Sequence, residues 1–130
     1  MDDVKQQQKE ALITAYEYME RLFAAIPKVC GELRSGMLPD TQEYLNAILN
    51  GVNFVTEVFN RTMDYVNDGQ ELVNKEELNE YVIKFMEEYK KKSPLLTADA
   101  LENYILVYLK KFYDAIEIVC KDDLPNREAE

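Results

Sequence analysis

The chain has 130 residues, 47% hydrophobic and 31% charged, with four Gly, four Pro, no His and a formal net charge of −10. Its length fits one domain, and so few Gly and Pro leave little room for a turn-rich β fold. The negative charge excludes a general nucleic-acid binder, which needs clustered cations to displace counterions from phosphate, and disfavours an anionic membrane surface.

The N-terminal residues Met1 to Gln8 are polar and lack the apolar stretch of a signal peptide. No run approaches the ~20 apolar residues of a membrane span. The chain reads as cytoplasmic.

The first segment, about Val4 to Arg34, carries apolar residues at Leu12, Tyr16, Met19, Phe23, Ile26, Cys30 and Leu33. This alternating spacing of four and three is one face of a helix. Pro27 removes a backbone hydrogen bond to the carbonyl of Phe23. The seam stays in phase across it, which predicts a helix kinked at Pro27 rather than two helices. Gly36 is placed for a left-handed C-cap.

The second segment starts at Asp40 or Thr41, where Asp40 and Glu43 fit a capping box. Its seam is Leu45, Ile48, Val52, Val55, Phe59, Thr62 and Val66, and Asn67-Asp68-Gly69 closes it. Gly51 interrupts this helix at a cost of about 1 kcal/mol against Ala, which suggests close packing. The third segment starts at Asn74, with Glu77 as box partner and Val73 and Leu78 as a staple. Its seam is Leu78, Val82, Phe85 and Tyr89, with Met86 flanking. Lys90-Lys91-Lys92 then complements the negative end of the helix dipole. The fourth segment is expected to be capped by Thr97, with the seam Leu101, Ile105, Tyr108, Phe112, Ala115 and Val119.

Short connections favour antiparallel neighbours. The predicted fold is all-α, an antiparallel up-down-up-down four-helix bundle over residues 1–120, followed by a polar tail at 121–130. Cys30 and Cys120 fall at opposite poles of such a bundle, about 30 Å apart at ~1.5 Å per residue. That is too far for a disulfide, so both read as buried thiols.

The absence of His removes Ser-His-Asp and Cys-His catalysis, HExxH zinc sites and histidine-held haem or di-iron. Four scattered glycines cannot form a phosphate loop. Two cysteines 90 positions apart do not make a structural zinc site. The chain therefore reads as non-enzymatic, with no metal and no cofactor.

Glu76-Glu77-Leu78-Asn79-Glu80 has the form EExxE. It resembles a run in all-α nucleotide pyrophosphohydrolases, and that resemblance implies carboxylates on two helices holding Mg²⁺. The ExxD half of the family's pattern is missing. Glu76 and Glu77 also have a structural task in the first turn of a helix. Glu17 and Glu20 form an ExxE beside Arg21, which reads as a solvated face.

On the second segment, Asn46, Asn53, Asn60 and Asn67 recur every seven positions, one step after the seam. A second stripe runs beside them through Ala47, Gly51, Phe54, Val58, Arg61 and Tyr65. Asn46, Asn53, Phe54, Asn60, Arg61 and Tyr65 are the candidate partner-binding residues, because aromatic and Arg side chains anchor interfaces. The competing reading is a helix buried on two sides beside a plain solvent-facing polar stripe.

In size, charge and helical make-up the chain resembles the acidic export chaperones of flagellar and type III secretion systems. That resemblance implies a groove that takes a partner's amphipathic helix. The leading expectation is a protein–protein interaction module, a small acidic chaperone or adaptor. The alternatives are a Mg²⁺-dependent nucleotide pyrophosphohydrolase and a self-associating structural bundle, with a homodimer as the partner in the latter case.

Overall fold

The computed structural model describes residues 2–124 and is all-helical among them. Helix α1 spans Asp2–Arg34, α2 Thr41–Val66 and α3 Lys75–Tyr89. A fourth helical run covers residues 94–119. It comprises α4 (Pro94–Ala100), a π turn (Leu101–Ile105) and α5 (Leu106–Val119). Inside the π turn the Leu106 N–H bonds to the carbonyl of Leu101, five residues back. The extra residue shifts the phase of the buried face partway along the run.

α1 continues through Pro27 without interruption, so the kink expected there is not formed. Pro27 is exposed, while Ile26, Val29 and Cys30 beside it are buried. The orphaned carbonyl side faces water, and the packed face holds the axis. The end of α1 is a Schellman motif. Gly36 has φ +103°, and the Met37 N–H bonds to the Glu32 carbonyl at 2.9 Å.

The predicted caps hold in one case out of three. Asn74 accepts from the Glu77 N–H at 2.9 Å, with Val73 and Leu78 both buried behind it. Asp40 makes no side-chain cap bond. The buried Thr41 hydroxyl instead accepts from the Leu38 N–H at 2.7 Å and donates to Glu32 at 2.8 Å. The fourth run begins earlier than predicted. Ser93 caps it by accepting from the Leu96 N–H at 3.2 Å, with Pro94 in the first turn. Thr97 is buried one turn inside.

All seven seam residues of α2 are buried, as are six of the seven on α1, with Phe23 half-buried. α1 packs along α2 on one side and along α4, the π turn and α5 on another. Tyr16 stacks on Tyr113 with ring centroids 4.1 Å apart, and its hydroxyl donates to Glu117 at 2.7 Å. About 27 Å further along α1, at ~1.5 Å per residue, Arg34 pins the other end, its guanidinium donating to Asp99 at 2.8 Å and to Glu102 at 2.7 Å. That fork holds the Glu102 carboxyl below its usual range. From α2, Phe59 sets its edge against Tyr108 and Phe112.

α3 is the exception to the seam reading. It packs on α4, the π turn and α5 but makes no comparable contact with α1 or α2. Only Leu78 and Phe85 of its residues are buried, while Val82 and Tyr89 are half-buried. Met86, expected to flank the core, is 50% exposed. On α5, Ile118 is 62% exposed.

Cys30 and Cys120 are both buried free thiols. Burial pushes each up to about 11. Of the polar tail expected at 121–130, residues 125–130 lie outside the described residues. The part that is described does not stand free. Leu124 packs on the core, and Asp123 pairs with Lys9 at 3.3 Å.

Candidate functional site

α2 presents its Asn column to one side. Asn46, Asn53 and Asn60 are exposed. Asn46 accepts from Gln42 at 3.0 Å. Asn67 has a different task, because its side chain accepts from the Leu72 and Val73 N–H groups and donates to the Val73 carbonyl at 3.0 Å. It ties the turn between α2 and α3. The column is therefore three solvent-facing residues and one loop clamp.

The second stripe of α2 lies along α1. Gly51 is buried beneath the Tyr18 ring, and Val58 is buried as well. Phe54 meets the edge of Tyr18 at 5.7 Å and is 37% exposed. The Arg61 side chain is exposed while its carbonyl accepts from Gln8 at 3.1 Å. Tyr65 is half-buried at the far end, where it borders a cavity of about 440 Å³ with Leu72 and Ile118. Helix α2 thus brings Asn53, Phe54, Asn60 and Arg61 onto its outer side, and it places Tyr65 at the pole.

The outer side of α3 carries the residues that sequence reasoning passed over. Ile83 is 53% exposed and Met86 50%. Helical spacing puts Glu76, Glu80 and Glu87 beside Ile83, and all three are exposed. The signal was present in the sequence: Ile83 lies off the seam Leu78, Val82, Phe85, Tyr89. Of the acidic run, Glu77 faces a carboxylate of another helix, Asp114 of α5, across one cavity. Lys111 borders the same shallow cavity. Among the described residues no group of three or more Asp, Glu or Cys could hold a metal ion. No helix among them is long and apolar enough to cross a membrane.

One family accounts for most of this architecture, with its match running over residues 10–115. The chain belongs to DUF8042, a domain of unknown function. The matched stretch takes in α2, α3 and α4 whole, and all but the ends of α1 and α5. Both the α2 column and the outer face of α3 fall inside it. No curated protein and no solved structure matches the chain.

Proposed function

We propose that this DUF8042 chain is a cytoplasmic, non-enzymatic interaction module that holds an amphipathic helix of another protein, as a small acidic chaperone or adaptor does. The reading includes the up-down-up-down arrangement of four helices. Its support is the register of contacts: Tyr16 reaches Glu117 while Arg34 reaches Asp99, and Gln8 reaches Arg61 while Ala25 reaches Tyr44.

One observation carries the proposal. α3 packs on one side only, and its free side sets Ile83 and Met86, each about half exposed, beside a row of glutamates. Apolar anchors within an acidic rim suit a helix with Leu-type anchors and Lys or Arg flanks. The exposed Asn53, Phe54, Asn60 and Arg61 of α2 form a second, more polar face for the same class of partner.

The test uses synthetic amphipathic peptides, one Leu/Lys and one Leu/Glu, titrated by fluorescence anisotropy. The Leu/Lys peptide should bind and the Leu/Glu peptide should not. Ile83→Ser with Met86→Ser should weaken binding about tenfold or more, since a truncated anchor costs ~1–2 kcal/mol. Phe54→Ala reports separately on the α2 face. Equal affinity for both peptides, or an affinity that neither set of substitutions changes, overturns the proposal.

A further inference from the structure

A cleft of about 510 Å³ opens where the ends of α1 and α3 meet the starts of α2 and α4. Its volume lies in the range of small-molecule sites. Leu33, Leu45, Met37 and Tyr89 give it an apolar lining.

Three features distinguish it from a packing gap. Thr97 lines it and is 3% exposed, yet its hydroxyl has no hydrogen-bond partner among the described residues. No fully enclosed side-chain polar atom is unpaired among those residues, so the hydroxyl of Thr97, a residue of the cleft lining, keeps some contact with solvent. Lys90 and Lys92 also line the cleft. Neither has a carboxylate partner among the described residues, whereas Lys91 between them pairs with Glu88 at 2.9 Å. Finally, Met37 (φ +50°) and Lys92 (φ +56°) are the only non-glycine residues with left-handed backbone among the described residues, and both line this cleft. Each closes a helix end, Met37 that of α1 and Lys92 that of α3, so two capping turns fix the rim of the cleft. The α3 dipole accounts for lysines at its end, but not for the cleft or the orphan hydroxyl.

We propose that this cleft binds a small amphiphilic carboxylate. The carboxylate accepts hydrogen bonds from Lys90, Lys92 and Thr97, which sits one helical turn beyond Ser93. The hydrocarbon chain lies along Leu33 and Leu45. In a chain of net charge −10, two unpaired ammonium groups on an apolar cleft select for an anionic head on an apolar tail.

The probe is decanoate, titrated by calorimetry below its micelle concentration, with octanoate, acetate and decanol as comparisons. Decanoate should bind saturably and raise the melting temperature. Octanoate should bind about fifteenfold more weakly, because each buried methylene contributes about fourfold. Acetate should not bind measurably. Lys90→Gln with Lys92→Gln should reduce decanoate affinity to that of decanol, up to about fivefold per lysine. Thr97→Val, with its fold checked by circular dichroism, should cost about tenfold, as expected for a lost hydrogen bond to a charged group. Lys110→Gln, a lysine outside the cleft, should leave binding unchanged. Absence of saturable decanoate binding overturns the proposal. So does an affinity that ignores both the lysine and the threonine substitutions, or one that is equal for decanoate and decanol in the unmodified chain.

Discussion

Gly51→Ala sets local propensity against tertiary packing. Propensity alone predicts that alanine stabilises the middle of α2 by about 1 kcal/mol. The structure predicts the opposite sign. A methyl group at position 51 would lie 2.6 Å from Cε2 and 2.8 Å from Cζ of Tyr18, with the hydroxyl nearer still. Ordinary carbon contacts are ~3.5–4.0 Å, so the ring must withdraw by roughly 1 Å. Withdrawal disturbs its edge contact with Phe54 at 5.7 Å, worth about 0.5–1.5 kcal/mol. Forcing the ring off its rotamer costs another ~0.5–1.5 kcal/mol. Set against the propensity gain, the net expectation is a loss of about 1 kcal/mol, with a range of ~0–2. Urea unfolding followed by far-UV circular dichroism resolves such a change. The decisive comparison repeats the substitution in a Tyr18→Ala background. There the obstacle is gone, and Gly51→Ala should stabilise by about 1 kcal/mol. The coupling between the two sites is then about 2 kcal/mol, within the range for residues in contact. A Gly51→Ala protein that is more stable than its parent by ~1 kcal/mol, with no coupling to Tyr18, would refute the close approach of α1 to α2 at this point.

The Asn column should split in mutational scanning. Asn67→Ala should cost about 2–3 kcal/mol, because it strips hydrogen bonds from two backbone N–H groups and one carbonyl of the turn; Asn53→Ala and Asn60→Ala should fall within ~0.5 kcal/mol of the parent. In the fourth run, Ser93→Ala should lose about 1 kcal/mol of cap stabilisation, while Thr97→Val should lose no cap bond, as urea midpoints will show. Cys30 and Cys120, raised to about 11 by burial, should resist a disulfide-exchange reagent at neutral pH and react once the chain is unfolded. Because the folded state keeps these protons longer than the unfolded state, their contribution to stability is complete below pH ~8.5 and is lost as pH rises towards the folded values. Tyr108, pushed up to about 12 by burial, acts in the same direction. Urea midpoints that rise between pH ~8 and ~10 would contradict both burial and sign.

How much was readable in advance differs from helix to helix. Seam positions on α1 and α2 were legible because a helix buried along most of its length needs apolar residues on every turn. Those same rules misjudged α3, where periodicity identifies the apolar side but not how many neighbours cover it. With packing on one side only, Met86 stays in water and Val82 and Tyr89 are half covered. Capping followed the same division. Asn74 behaved as its spacing predicts, but Thr41 took over from Asp40 because Glu32 on the neighbouring helix supplied its partner. Of the candidate residues on α2, their shared helix was predictable and their separate fates were not. Phe54 half leans on Tyr18, Tyr65 turns to the pole, and Asn67 serves the loop.

By itself the sequence determined the helical class, the buried sides of α1 and α2, the two buried thiols and the lack of His-based chemistry. These follow from composition and from spacings within a few turns of one helix. Only the tertiary structure decided the straight path through Pro27, the π turn at Leu101–Ile105, the free side of α3 and the cleft between four helix ends. Each of those depends on which surfaces meet across large sequence separations. No local spacing encodes the distance between Thr97 and Leu45, or the neighbour that α3 lacks.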